Sequence, residues 1–316
     1  MPFSMIFGQS SQFTRVFYDD WKHAQGYGIA ATTNGGYVIA GVRDNRAMLA
    51  GVNDNGDLLW MKQCPEEFSR FQCVTTAHDG AVVAAGYISG PVSGDIWLYL
   101  MKVAANGDTI FSRVIETGAA TYVQSIQQTP DHGFILAGWQ ELDVSPYNTL
   151  FVAKTDSAGH VSWFRQYHSF YPSFGYSARP ATGGGYLVAG RAPGSTPFQE
   201  SALLMKLSDT GDVIWCKDVQ TGTGSHMSCN DVAETPDGLF LLVSSSNNDW
   251  YLVRTDTTGN FQGAVSSYQF AVNYEFGYPR PKLRAISGNR FVFLTPSWGY
   301  DDQLLVVDQT GTQIYR

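Results

Sequence analysis

Thr129-Pro130-Asp131-His132-Gly133-Phe134-Ile135-Leu136-Ala137-Gly138, followed after a loop by Leu150-Phe151-Val152-Ala153-Lys154-Thr155-Asp156-Ser157-Ala158-Gly159-His160-Val161-Ser162-Trp163, is the stretch whose reading decides the fold. Pro-Asp followed by glycine makes a tight turn, and the apolar run after it reads as a strand. A second strand ends at the Asp156–Gly159 turn, and a third begins at Trp163.

The same unit recurs along the chain. Its apolar strand appears at Gly36–Gly41, Ala81–Gly86, Gly133–Gly138, Gly185–Gly190, Gly238–Ser244 and Arg290–Thr295. The glycine of the second turn recurs at Gly56, Gly107, Gly159, Gly211, Gly259 and Gly311, with spacings of 51, 52, 52, 48 and 52 residues. A period near fifty with this much turn chemistry predicts propeller blades of four antiparallel strands. Strand A precedes the first turn, as in Tyr122–Gln128, and strand B is the apolar run. Strand C alternates, as in Trp97–Lys102, and strand D begins at Trp60, Phe111, Trp163, Trp215 and Tyr315. No stretch has sustained helical periodicity. The sixth unit stops as strand D begins, and Phe13–Asp19 has the offset of the missing strand. The expected fold is therefore all-β: a single six-bladed β-propeller over residues 1–316, with residues 1–12 as a tail and 13–19 as the strand that closes the last blade.

The pattern TPDGGYILAG…DxWLxKxDxxGxxxW, best matched at 129–163, 182–215 and 235–259, resembles the bacterial propeller repeats called delta-60-like repeats. The resemblance covers nearly the whole chain and implies the same blade. The matched residues are turn glycines, turn aspartates and packing aromatics, so no catalytic residue carries over.

A net charge of -8 with no basic cluster excludes a phosphate-backbone surface, so no nucleic-acid partner is expected. No run approaches the length of a membrane span, so no membrane partner is expected either. The N-terminus lacks the basic start and long apolar region of a signal peptide, which predicts a cytoplasmic monomer, or a secreted one if a leader has been removed. The four cysteines, Cys64, Cys73, Cys216 and Cys229, show no metal-ligand spacing; Cys64/Cys73 and Cys216/Cys229 each bracket one loop that a disulfide could close, and free thiols are the preferred reading.

Antiparallel connectivity puts the short A–B and C–D turns on one face and the long D–A and B–C loops on the other. Loops on a rigid scaffold carry most function. The candidate proton carriers are His23 and His226 in D–A loops, Glu141 in a B–C loop, and Asp231 on strand A of the fifth blade, with Arg179 or Arg191 as its possible ion-pair partner. The candidate substrate contacts are Trp21, Tyr171 and Tyr278 from D–A loops and Trp139, Arg191 and Trp298 from B–C loops. Of these, Trp139, Arg191, His226 and Trp298 are expected to border one central cavity. His23, His168 and His226 come from three loops of different length, so no metal is expected. No nucleophile elbow, P-loop or HExxH motif occurs, and no cofactor is expected.

The scaffold repeats while the loops do not, which favours one asymmetric site for a small molecule over a multivalent lectin. The preferred reading is an enzyme of lyase, cyclase or hydrolase type that acts on an apolar or aromatic substrate. The alternative is a non-catalytic binder of a glycan, peptide or protein, since the fold hosts both. Ring closure by residues 13–19 has a direct test. Deleting residues 1–19 is expected to expose a bare sheet edge and cause aggregation or a large fall in melting temperature. A monomeric truncated protein that melts like the full chain would refute the closure.

Overall fold

The computed structural model describes residues 24–316 apart from 93, 143–146, 170, 195–199, 220–225, 246–248, 270–281, 287–289, 296–302, 311 and 316. The closing strand expected at 13–19 and the tail at 1–12 lie outside the described residues. The described chain has no helix. It forms six four-stranded antiparallel sheets, each in the order A-B-C-D, and these are the blades of a β-propeller.

Blade one consists of Ala24–Ala31, Tyr37–Arg43, Arg46–Val52 and Leu58–Gln63; blade two of Ser69–Thr76, Val82–Ser89, Ile96–Val103 and Thr109–Ile115. Blade three consists of Ala120–Gln128, Phe134–Glu141, Thr149–Thr155 and Val161–Tyr167; blade four of Phe174–Pro180, Tyr186–Pro193, Glu200–Leu207 and Val213–Val219. Blade five consists of Met227–Thr235, Gly238–Ser245, Asp249–Thr255 and Phe261–Gln269; blade six of Leu283–Ile286, Arg290–Thr295, Gln303–Asp308 and Gln313–Tyr315. The fourth position of the sixth sheet is thus held by three C-terminal residues, with Val306 opposite Tyr315. Two compact units contain the blades, Met1–Val123 and Gln124–Arg316, and the boundary falls inside strand A of blade three.

Strand D starts two residues after the turn glycine, earlier than the sequence spacing predicts. The turn closes on itself. In blade three, Asp156 N–H donates to the His160 carbonyl, and the Asp156 carboxylate accepts from the N–H groups of Ala158 and His160 at 2.9 and 2.8 Å. An aspartate that satisfies the turn in this way lets the ladder resume at once. The strand C lysines are tied to the other turn. Lys154 Nζ lies 2.8 Å from Asp131 Oδ2, and Lys102 Nζ lies 2.6 Å from Asp79 Oδ2. Slight burial pushes the Asp131 carboxyl up. Lys154, the Thr129 hydroxyl and the Gly133 N–H outweigh it and hold the pKa at about 2.

Blades join at two depths. On the inner side, strand A carries one extra residue between Gly26 and Gly28, Phe71 and Cys73, Gly175 and Ser177, and Cys229 and Asp231. In blades four and five the side chain after this bulge reaches the next blade, and Ser125 of blade three makes a similar contact. Ser125 Oγ accepts from Ala178 N–H at 2.9 Å, Ser177 Oγ–H donates to Asp231 at 2.6 Å, and Asp231 accepts from Leu283 N–H at 2.9 Å. On the outer side, a strand D tryptophan covers the C–D turn of the following blade. Trp60 Nε1–H donates to the Ala105 carbonyl at 2.9 Å, and Trp163 Nε1–H to the Asp209 carbonyl at 3.0 Å. The turn glycine under each ring needs its small size as well as its positive φ. A Cβ on Gly107, Gly211 or Gly259 would meet Trp60, Trp163 or Trp215 at 2.7, 3.0 and 2.7 Å.

The spacing of these tryptophans suggests full burial between blades. The structure corrects this to half-burial: Trp60, Trp163 and Trp215 pack against the core clusters and the turn glycines while keeping part of their surface in solvent. Trp163→Ala is accordingly expected to cost about 2 kcal/mol, less than a fully buried ring, through lost apolar contact and one lost hydrogen bond. Urea unfolding measures it. A loss under about 0.5 kcal/mol would show that the ring does not hold the two blades.

Candidate functional site

Strand B of blade three ends its apolar run at Gly138 and turns out Trp139. Strand B of blade four does the same with Gly190 and Arg191, so the indole and the guanidinium hold equivalent places in neighbouring blades. Phe174, the first residue of strand A in blade four, lies between them. Its ring packs edge-on to Trp139 at 5.4 Å, and Arg191 Cζ sits 4.4 Å from its centroid. On the other side, Arg191 Nη1–H donates to Glu200 Oε2 at 2.8 Å. Pro193 pairs with Glu200 across the ladder, and Arg191 is two residues back along the same face, which makes this diagonal contact possible. Glu200 also forms a parallel backbone bridge with His226, whose Nδ1 lies 3.4 Å from the same Oε2.

Trp139, Phe174, Arg191, Glu200 and His226 thus form one continuous line along the loop side of blades three to five. The His226 side chain is 44% exposed, Glu200 28% and Arg191 21%. A carboxylate on the Nδ1 side of an imidazole leaves Nε2 for proton transfer. A guanidinium supplies fixed positive charge, and the two rings form an apolar wall.

Three of the four residues expected around one cavity therefore share this cluster, and the fourth, Trp298, lies outside the described residues. So do Trp21, His23 and Tyr278. Tyr171 is half-buried in the loop before blade four, its ring 5.7 Å from that of Tyr147. Glu141 is exposed at the end of its strand and His168 is exposed in its loop; neither joins the cluster through a contact between described residues. Sequence reasoning missed Glu200 and Phe174. The available signal for Glu200 was a carboxylate at the far side of a hairpin whose near side carries an arginine. A shallow hollow of about 210 Å³ lies at the turns of blades one and two among Thr33, Asn34, Asp79, Gly80, Ala104 and Ile110. Its carboxylate, Asp79, is already paired with Lys102, and it carries no chemistry comparable to the loop-side cluster.

Asp231 stands where the sequence reading puts it and takes one of its two expected partners. It is fully buried on strand A of blade five. Arg179, not Arg191, is its ion-pair partner, with Nη2 at 2.8 and 3.0 Å from its two oxygens. With Ser177 and Leu283 N–H also donating, the carboxylate has no free face for a substrate proton.

No protein-family model matches the chain, the repeat family that it resembles included, and no curated protein matches its sequence. Solved structures match its fold. A protein from Lactobacillus plantarum superposes with a TM-score of 0.60 at 13% identity, over 91% of this chain and 82% of that one. The periplasmic gluconolactonase of Pseudomonas aeruginosa gives 0.59 at 13% identity, over 91% and 83%. A puromycin hydrolase gives 0.56 at 14% identity, over 92% of this chain and 44% of that one. At this identity the likeness shows the propeller fold alone.

Complete burial pushes the Asp231 carboxyl up, but the charges of Arg179, Lys282 and Arg284 outweigh it, and its pKa is held below the ordinary carboxylate value. The stabilisation is therefore complete above the unfolded carboxylate pKa and is lost as pH falls through the depressed folded value. Asp231→Asn is expected to cost roughly 3 kcal/mol at neutral pH, by leaving Arg179 without its counter-charge, and to flatten the acid limb of the stability curve. Denaturant unfolding between neutral and acid pH checks both effects. An unchanged acid limb would mean that Asp231 is not the group being titrated.

Proposed function

We propose that the protein is a small-molecule hydrolase that works on the loop face, with His226 as the proton carrier and an ester or lactone as substrate. The observation that carries this reading is the single oxygen, Glu200 Oε2, facing both Arg191 and His226. Arg191 fixes the carboxylate, and the carboxylate orients the ring and stabilises the imidazolium that forms when it takes a proton. His226 Nε2 accepts a proton from water while the water oxygen adds to the substrate carbonyl carbon. The carbon–oxygen bond to the leaving group then breaks, and the imidazolium returns its proton to the departing alkoxide. The positive field of Arg191 favours the oxyanion stage. Trp139 and Phe174 offer an apolar or aromatic substrate a flat wall.

Hydrolases and a lactonase among the proteins of similar fold support hydrolysis as the first of the three reaction types to test. The repeat that resembles the delta-60-like family supplies the scaffold and no catalytic group. The experiment is a rate measurement with small aromatic esters and lactones. His226→Gln is expected to lower kcat by roughly a hundredfold at nearly unchanged KM and melting temperature. Trp139→Ala should instead raise KM. A His226→Gln protein as active as the wild type overturns the assignment, and loss of ligand affinity with no turnover in either protein identifies a binder.

A further inference from the structure

The inner strands of blades four, five and six bring Arg179, Asp231, Lys282 and Arg284 together. Among the described residues of this cluster, three cations face one carboxylate. Asp231 is already spoken for: Arg179 holds both of its oxygens, and the Ser177 hydroxyl and the N–H groups of Val232 and Leu283 also donate to it. Arg284 is left at the edge. Its Nη1 lies 3.7 Å from Asp231 Oδ2, beyond a good hydrogen bond, and its side chain is 50% exposed. Lys282, half-buried beside it, donates to the Tyr176 carbonyl at 3.0 Å, which places its ammonium in the same region.

Arg284 combines two properties. Its side chain reaches solvent, yet surrounding protein lowers its pKa by desolvation, with Arg179 adding to the depression and Asp231 opposing it. Arg284 therefore presents a solvent-facing guanidinium beside the Arg179–Asp231 pair and Lys282. Among the described residues its charge is incompletely neutralised, so an anion placed there gains both the guanidinium fork and the field of its neighbours.

We infer that these inner strands form a binding site for a small anionic group, a phosphate or a carboxylate, with Arg284 as its principal contact. The site is separate from the loop-side cluster. Phe174 and Arg179 lie on the same strand five residues apart, about 15 Å along its length. The inference stands whether or not His226 is catalytic.

Calorimetric titration of the full chain with inorganic phosphate and with acetate, each against chloride at matched ionic strength, tests it. Saturable binding of phosphate or acetate above the chloride background is expected, and the anion that binds identifies the ligand's chemistry. Arg284→Gln should weaken that binding by about tenfold or more at an unchanged melting temperature. On wild-type protein, which avoids any question of folding, the bound anion should protect Arg284 from phenylglyoxal. Binding no stronger than chloride, an Arg284→Gln protein that binds like wild type, or the absence of protection each overturns the site.

Discussion

One extra residue in the first strand of a blade decides where the contacts between blades fall. A strand presents alternate side chains to opposite faces, so inserting a single residue moves everything after it to the other side. The insertion occurs at the same place in blades one, two, four and five, where the strand register skips Tyr27, Gln72, Tyr176 and Asn230. Because of it, Ser177 and Asp231 point across to neighbouring blades. The inner stitch and the outer tryptophan then act at opposite edges of the same interface, and together they oppose both sliding and hinging of one blade on the next.

The stitch also explains where charge is tolerated. In blades three and four the stitching residue is a serine, Ser125 or Ser177, which satisfies a neighbour at little desolvation cost. In blade five it is Asp231, and a fully buried carboxylate persists only because several donors and cations surround it. That compensation overshoots, and the positive side chains drawn in to hold Asp231 leave Arg284 at the edge of the group. The loop-side cluster follows different logic. Arg191, Glu200 and His226 are partly solvated and share one oxygen, an arrangement that leaves the imidazole accessible.

Much of the fold was legible in the sequence because its signals are local. The turn glycines near Gly107 and Gly159 need positive φ, the apolar runs need burial, and both recur at a fixed period. The bulge was not legible, since the inserted residues, Tyr27, Gln72, Tyr176 and Asn230, follow no single residue type and the register exists only once two strands pair. The depth of Trp163 was misjudged for a related reason: spacing places the ring, but the neighbouring turn decides how much of it is covered. At the candidate site, Trp139, Arg191 and His226 were visible as loop residues that the repeat does not require. Glu200, which joins two of them, was not, because its position depends on a hairpin ladder and a backbone bridge.

The tryptophan-covered turns also bear on how the protein ages. One of them contains Asn-Gly, at Asn106-Gly107, the dipeptide in which the following amide nitrogen most readily attacks the asparagine side chain. Asparagine is among the thermolabile residues. The succinimide that forms opens mainly to isoaspartate, which lengthens the backbone by one methylene. At Asn106 that extra atom lies directly before the glycine on which Trp60 rests, and the Ala105 carbonyl that accepts the indole N–H is the preceding residue's. Spontaneous chemistry on the surface therefore reaches the joint between blades one and two without any change in the core.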